Sequence, residues 1–247
     1  MEYAAETFDL TKKYGRETVV DCLNLKVRPG EIFGFLGPNG AGKTTTLLML
    51  LGLSEPSSGR AEVLGLDPRR EPLKVKSQTG YLPENMGFYG DLTASENLDY
   101  ITELNGLGRP AGLRDEILEM VGLKEAGSKL VSAFSRGMRQ RLGLAGVLIK
   151  NPRLIFLDEP TLGLDPEGIA TMLDLIERLP RERGLTVILS SHLLHLVARV
   201  ATRVGILNRG RLLALGTLEE LAEKTGGRSD LEEIYRHFFR QGEEAAA

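Results

Sequence analysis

One stretch of eight residues constrains the fold more than any other part of this chain. Residues 37–44 read GPNGAGKT and match the pattern G-x-x-x-x-G-K-[ST], a loop that cradles phosphate groups. An apolar segment of strand length, 31–36, precedes the loop, and a helix-like segment, 45–51, follows it and ends at Gly52. Glycines let the backbone curl until its N–H groups point inward, and the helix adds the positive end of its dipole. The sequence therefore predicts a strand, a phosphate loop and a helix.

The loop residues have distinct predicted roles. We expect Lys43 to reach the β- and γ-phosphates of a nucleotide and Thr44 to place its hydroxyl on Mg²⁺. The alternative, a glycine-rich turn that binds nothing, is disfavoured because both flanking segments fit the motif. The predicted nucleotide-binding residues of this loop are Gly37, Pro38, Asn39, Gly40, Ala41, Gly42, Lys43, Thr44 and Thr45.

Length and charge narrow the class of protein. A chain of 247 residues forms one large domain or a domain with an inserted piece, and a net charge of −3 gives no sign of a nucleic-acid-binding surface. The single cysteine, Cys22, fits a reducing cytosol, and its alternating surroundings predict a small core residue. We see no secretory signal and no run near the ~18 apolar residues of a membrane helix. If the protein works at a membrane, another chain must supply the membrane part.

The hydrophobic pattern predicts an α/β fold of the P-loop NTPase type, with a mixed, mainly parallel sheet. Apolar and polar residues alternate in part of the segment 18–27, which indicates an antiparallel β layer with one solvent-exposed face. No strand pattern occurs between about 86 and 150, where Thr93 begins a capping box, so this part is a predicted α-helical insertion. The predicted division is 1–85 (β layer and loop core), 86–150 (helical subdomain), 151–225 (remaining core) and 226–247 (C-terminal helix and tail).

The C-terminal third has its own predicted elements. Buried strands are expected at 154–157 and 186–189, with a helix beginning at Ser191 after the second strand. In the last helix, an apolar stripe runs at i, i+3, i+4, i+7 and i+8, and packing on its own domain is favoured over a partner-binding face. The stripe consists of Leu231, Ile234, Tyr235, Phe238 and Phe239.

Two carboxylates follow the first of these buried strands. Ligands gather at the carboxyl ends of parallel strands, where the phosphate loop also lies, so Asp158 is placed to hold Mg²⁺ together with Thr44. Glu159, one residue further on, is able to point elsewhere and polarise a water for attack on the γ-phosphorus. The alternative, two acids that cap a turn, is weak beside a phosphate loop.

Two further positions indicate phosphate chemistry. His192 follows the next strand, where it could hydrogen-bond the γ-phosphate or the attacking water, although a lone histidine is more often structural. A helix that begins near Ser135 would offer a hydroxyl, free N–H groups and a positive dipole end, which is an anion site. That site is far from the phosphate loop in sequence. The chain therefore holds two half-sites for one phosphate group.

Taken in order, these motifs resemble the ATP-binding subunit of an ABC (ATP-binding cassette) transporter, over about residues 3–225. The resemblance implies a head-to-tail dimer with two ATP molecules at the interface. Each ATP would be held by the phosphate loop of one subunit and by Ser135 and Gly137 of the other. It also implies that Tyr14 stacks on adenine, that Glu159 is the catalytic base and that His192 senses the γ-phosphate. Lys43 joins them in the catalytic set.

The chain departs from the family pattern at two places. Glu84 stands where the family usually has Gln as a ligand of Mg²⁺ and the attacking water; a carboxylate still ligates the metal but does not donate as an amide does. Between Ser135 and Gly137 stands Arg136, which either adds a cation near the partner's phosphate or faces solvent. By the same resemblance, residues 162–165 form the loop that links the two sites of the dimer.

The sequence thus predicts an ATPase that uses ATP and Mg²⁺. We expect it to form a homodimer on the inner face of the cell membrane. The segments around Glu84 and Arg139 resemble ATPase subunits of drug and antibiotic exporters, so integral-membrane permease subunits are the expected partners. The helical insertion and the Glu84 loop are the expected docking surface. Two alternatives remain: a soluble ABC ATPase acting on DNA or ribosomes, and a monomeric nucleotide kinase, which leaves Ser135 and His192 unexplained.

Overall fold

The computed structural model describes residues 2–108, 112–227 and 230–244. The strands are β1 (Ala5–Tyr14), β2 (Glu17–Leu23), β3 (Lys26–Val27), β4 (Ile32–Leu36), β5 (Ser58–Val63), β6 (Thr79–Leu82), β7 (Leu154–Asp158), β8 (Thr186–Ser191), β9 (Arg203–Asn208) and β10 (Arg211–Gly216). The helices are α1 (Lys43–Leu50), α2 (Pro72–Gln78), α3 (Ala94–Leu104), α4 (Leu113–Met120), α5 (Arg136–Leu148), α6 (Pro166–Arg183), α7 (Leu194–Val200), α8 (Leu218–Lys224) and α9 (Leu231–Glu244). Short 3-10 turns at Lys124–Ala126 and Val131–Ala133 connect α4 to α5.

The larger sheet has the strand order β10-β9-β4-β8-β7-β6. All neighbours in it are parallel except β10, which runs antiparallel to β9, so the predicted mixed, mainly parallel sheet is confirmed. Leu36 at the end of β4 pairs with Ser191, and Asp158 at the end of β7 pairs with Ser190. The carboxyl ends of β4, β8 and β7 therefore meet at one edge, as the sequence predicts.

The second sheet is the predicted antiparallel layer, in which β1 pairs with β2, β3 and β5. One face of this layer shares a core with the larger sheet, where Phe33 and Phe35 meet edge to face with ring centroids 5.2 Å apart. The prediction for Cys22 is wrong, because this residue is exposed with φ +47°. Between the Leu10–Leu23 and Lys12–Val20 pairs, β2 carries one residue more than β1, and this bulge turns Cys22 outward.

The predicted helical insertion is confirmed in the described residues between 86 and 150, which form α3, α4 and α5 and no named strand. Buried apolar side chains hold these helices on the sheet, among them Leu98, Ile117 and Leu144. The stripe of α9 also packs on this core, with Leu231 and Ile234 buried and its three aromatic residues partly buried, so packing on its own domain is confirmed.

Two elements differ from the sequence expectation. Helix α2 was not predicted; Pro72 occupies its first turn, where a missing N–H costs little, and Val75 anchors it in the core. The helix expected from Ser191 begins three residues later, at Leu194, because Ser191 is the last residue of β8 and pairs with Leu36. Strand β8 is therefore longer than its apolar residues predict, and Ser191 is still part of the strand.

The capping box at α3 gives a stability prediction. Thr93 accepts a hydrogen bond from the Glu96 backbone N–H, and the Glu96 carboxylate accepts one from the Thr93 backbone N–H. Thr93→Ala should lower the free energy of unfolding by about 1 kcal/mol, because the helix loses a side-chain acceptor for its free N–H groups. Urea denaturation measures this change. Thr93→Ser keeps the acceptor and should stay near the native value; equal losses in the two variants would contradict the capping explanation.

Candidate nucleotide site

The phosphate loop is a tight turn between β4 and α1 that depends on glycine. Gly40 and Gly42 have φ of +81° and +98°, in the left-handed region that side chains disfavour. A Cβ on Gly42 would stand 2.6 Å from the carbonyl oxygen of Val19, and one on Gly37 would stand 2.4 Å from that of Leu207. The turn therefore has the strand–loop–helix context that the motif requires.

The lysine of the loop is folded back over its own turn. The Nζ atom of Lys43 donates hydrogen bonds to the carbonyl oxygens of Gly37 at 2.8 Å and Pro38 at 3.2 Å. Burial lowers the pKa of Lys43, and the nearby carboxylate of Glu159 opposes that shift. The ammonium thus stands inside the curl, the position from which a lysine reaches phosphate oxygens. Pro38, Asn39, Gly40 and Thr44 are exposed, while Gly37, Ala41 and Gly42 are buried and Thr45 is half-buried.

Glu159 and His192 meet beside this lysine. Oε1 of Glu159 lies 3.6 Å from Nζ of Lys43 and 3.0 Å from Nδ1 of His192. Despite that close approach, both Oε1 and Nδ1 are buried without a hydrogen bond in the described structure. A buried polar atom without a hydrogen bond is costly, and these two lie 3.0 Å apart. An attacking water or a γ-phosphate oxygen has the chemistry to satisfy them, so this part of the site fits the predicted substrate.

Asp158 forms the other side of the site. Its Oδ1 accepts hydrogen bonds from the hydroxyls of Thr44, at 3.1 Å, and Ser190, and its Oδ2 accepts one from the Tyr81 hydroxyl at 3.4 Å. Burial raises the pKa of Tyr81, and the charge of Asp158 raises it further, so the phenol stays protonated and able to donate. The predicted pair Thr44 and Asp158 is thus brought into contact.

The two consecutive carboxylates diverge because of the backbone between them. Glu159 has φ +48°, a conformation that costs energy in a residue with a side chain and is found at functional sites. The backbone N–H of Glu159 donates to the carbonyl oxygen of Ser190, which ties the turn to β8. Asp158 then faces Thr44, while Glu159 faces Lys43 and His192. One strand end therefore serves two parts of the site.

Three hydroxyl residues at this edge were not predicted as site residues. Ser190 and Ser191 donate to Asp158 and Glu159, and Tyr81 reaches Asp158 from β6. Ser190 and Ser191 are next to His192 in the sequence, so their position after a buried strand could have identified them as site residues. The sequence did not identify Tyr81, because only the pairing of β6 with β7 brings its hydroxyl close to Asp158.

The oxygens of Thr44 and Asp158 are the hard ligands that Mg²⁺ prefers. In the described ranges 2–108, 112–227 and 230–244, no group of three or more His, Cys, Asp or Glu side chains is placed to hold a metal. A site with one carboxylate and one hydroxyl matches the way Mg²⁺ binds together with nucleotide phosphates. Glu84 is exposed and accepts a hydrogen bond, 3.4 Å long, from the side-chain amide of Asn85. Its charge contributes to the raised pKa of Tyr81.

The remaining predicted residues make contacts of their own. Tyr14 is half exposed at the end of β1, with Nζ of Lys12 4.9 Å from its ring centroid. Ser135 caps α5 through a hydrogen bond from the Met138 backbone N–H, 3.2 Å long, and is exposed. Within the described part of the chain, no hydrogen bond or ion pair joins Ser135 or Gly137 to residues 37–45. The two predicted half-sites are therefore not bonded to each other there.

Together, the parallel sheet, the glycine-dependent loop, the buried Lys43 and the Asp158–Glu159 strand end define a P-loop nucleotide-hydrolysing protein. The model of the ABC transporter family matches residues 20–162. The chain belongs to this family: it is the ATP-binding and ATP-hydrolysing subunit of an ABC transporter.

Curated relatives and a solved structure agree with this assignment. The bacitracin transport ATP-binding protein of Bacillus licheniformis is 46% identical over 86% of this chain and 69% of its own length. The linearmycin resistance ATP-binding protein of Bacillus subtilis is 38% identical over 89% of this chain and 71% of its own length. A solved ATP-binding subunit of an ABC transporter is 31% identical, with a TM-score of 0.85, and the match covers 96% of this chain and 99% of that one.

Proposed function

We propose that this subunit hydrolyses ATP at the interface of a head-to-tail homodimer. The observation that carries the proposal is that, in the described residues of one chain, the Ser135 helix start makes no hydrogen bond or ion pair to the phosphate loop. Ser135 is exposed with a free helix N-terminus behind it, which attracts phosphate groups. A second copy of the chain would bring this anion site to the open side of the loop, so that each ATP contacts both subunits.

Within each site we assign roles by contact. The loop and Lys43 hold the β- and γ-phosphates, and for this the ammonium leaves the carbonyl oxygens of Gly37 and Pro38. Glu159 takes a proton from the attacking water through Oε1, the oxygen without a hydrogen bond. His192 contacts the γ-phosphate or that water through Nδ1. Tyr14, at the exposed end of β1, stacks on adenine.

We propose that Thr44, Asp158 and Glu84 hold Mg²⁺, which when bound neutralises charge on the β- and γ-phosphates. The hydrogen bond between Thr44 and Asp158 and the hydroxyls of Ser190 and Tyr81 fix the carboxylate for this task. We also propose that the chain divides after residues 85, 150 and 225 into the β layer with the loop core, the helical subdomain, the remaining core and the C-terminal segment.

The dimer proposal has a kinetic test that needs only the purified chain. Specific ATPase activity should rise with protein concentration and then level off, because active sites form only when two subunits meet. Analytical ultracentrifugation with ATP should give a dimer over the same concentration range. A constant specific activity at every concentration, from a species that sediments as a monomer, would contradict the shared site.

We propose further that the subunit works on the inner face of the cell membrane, docked to separate membrane subunits. None of the helices in the described ranges is long and apolar enough to cross a bilayer. The helical insertion exposes large apolar side chains: Tyr89 is 51% exposed, Tyr100 38% and Leu104 68%. Exposed apolar groups of this kind favour a protein interface. We infer that they form the docking surface.

Tyr89→Ala combined with Leu104→Ser should weaken docking to the membrane subunit without changing the basal ATPase rate. The two side chains lie on the surface of the insertion, away from Lys43 and Asp158, so the site itself stays intact. Co-purification of the complex measures the loss. The control Leu73→Ser changes a leucine that is 79% exposed on α2 and should leave the complex unchanged. Equal recovery of the complex from all variants would rule out this surface.

The names of the relatives suggest the kind of cargo. They concern bacitracin transport and linearmycin resistance, and we propose that this chain drives export of antibiotic-like compounds. Purification of the native complex tests this together with the alternative of a soluble ABC ATPase. An integral-membrane partner supports the exporter, and expression of the complex should raise resistance to such compounds. A ribosome or DNA as the stable partner would favour the alternative instead.

A further inference from the structure

The arginine that follows Ser135 contacts a loop in its own subunit. Gly163 has φ +70°, and a Cβ built on it would stand 2.4 Å from both Cζ and one terminal nitrogen of the Arg136 guanidinium and 2.9 Å from Nε. The guanidinium therefore fills the space that any side chain at position 163 would need. Its planar face packs against the bare backbone of the glycine.

The loop in question, residues 162–165, is hydrogen-bonded to Glu159. The backbone N–H of Leu162 donates to the carbonyl oxygen of Glu159 at 3.1 Å, and that of Leu164 donates to Thr161 at 3.3 Å. The loop ends at Asp165, which caps α6 by accepting a hydrogen bond from Gly168. A displacement of this loop would therefore reach the backbone that holds the Glu159 carboxylate.

The same two segments approach each other at a second point. A Cβ built on Gly137 would stand 4.0 Å from Cδ2 of Leu164. Arg136 and Gly137, the first residues of α5, thus both face the loop. Arg136 is exposed, and its guanidinium lies against Gly163 of this loop.

We propose that Arg136 is a positioning residue that makes the Ser135 helix start and the Glu159 loop move as one unit. The inference rests on the proposed dimer, in which Ser135 serves one ATP and Glu159 of the same subunit serves the other. The contact then connects the two ATP sites through a single chain. A planar guanidinium suits this task because it lies flat on a glycine, whereas the ammonium of lysine is a compact point charge.

The experiment compares Arg136→Ala, Arg136→Lys and the control Arg139→Ala. Arg139 lies one turn further along α5, and its guanidinium contacts the carbonyl oxygen of Val131. Hydrogen exchange on the nucleotide-free protein should show faster exchange of the Leu162 and Leu164 amides in both Arg136 variants and native exchange in Arg139→Ala. This readout does not depend on dimer formation.

ATP turnover against ATP concentration is the second readout. In Arg136→Ala, kcat should fall about tenfold, because a small misplacement of a reacting group is costly. The Hill coefficient should fall from about 2 toward about 1, since the sites no longer influence each other. Nucleotide affinity of the single subunit should stay native. Arg136→Lys should resemble Arg136→Ala, because lysine keeps the positive charge but lacks the planar guanidinium group.

Native exchange at residues 162–164 in Arg136→Ala, or native turnover and cooperativity in that variant, would overturn the proposal. Full function in Arg136→Lys would also overturn it, because charge alone would then suffice. If the native protein itself shows no cooperativity and no dependence on protein concentration, the proposed dimer fails. In that case faster exchange in Arg136→Ala would still establish the contact, but not its role between sites.

Discussion

Glu159→Gln should bind ATP with near-native affinity, hydrolyse it about 10²- to 10⁴-fold more slowly and accumulate as a closed dimer. Glu159 is 7% exposed, and its Oε1 is the atom that we expect to take the proton of the attacking water. Glutamine has nearly the same shape, and its amide oxygen still accepts the hydrogen bond that Ser191 now donates to the carboxylate. The substitution therefore removes the base while leaving the pocket in place.

Single-turnover hydrolysis and size-exclusion chromatography with MgATP measure the two parts of this prediction. The control Glu167→Gln removes a carboxylate from the exposed first turn of α6 and should keep the native rate. Hydrolysis at the native rate by Glu159→Gln would show that another group is the base. Loss of ATP binding would instead show that the carboxylate holds the site together.

Ser135→Asp should nearly abolish turnover while each isolated subunit binds nucleotide as before. Aspartate caps a helix about as well as serine, so the hydrogen bond from Met138 and the fold of α5 should persist. The added negative charge would, however, face the phosphates of the partner's ATP. The aspartate and the phosphates are both negative and repel each other strongly once water is excluded from the interface, so the closed dimer should not form.

The measurements for Ser135→Asp are nucleotide affinity at low protein concentration and turnover at high concentration. Ser135→Thr keeps a hydroxyl cap without the charge and should retain much of the activity. Equal loss of affinity and turnover in Ser135→Asp would argue that Ser135 acts within its own subunit. Native turnover in this variant would argue that the Ser135 helix start does not meet phosphate at all.

Local sequence signals predicted much of the fold. The phosphate loop and the capping box at Thr93 were both correctly located, because each depends on a few neighbouring residues. The edge that collects Asp158 and His192 was also foreseen, since parallel strands direct their carboxyl ends to one side. Helix α2 and the outward turn of Cys22 were missed, because core contacts and a register shift decide them.

The sequence by itself determined the class of chemistry: a glycine-rich loop, a lysine and two acids after an apolar strand are enough to indicate a phosphate site. Only the tertiary structure decided which groups touch. The contacts of the Tyr81 hydroxyl with Asp158, of the Glu159 carboxylate with His192 and of the Arg136 guanidinium with Gly163 all join residues far apart in the chain. The physical reason is that backbone turns follow from local conformational preferences, whereas such contacts depend on strand order and on the packing of distant side chains.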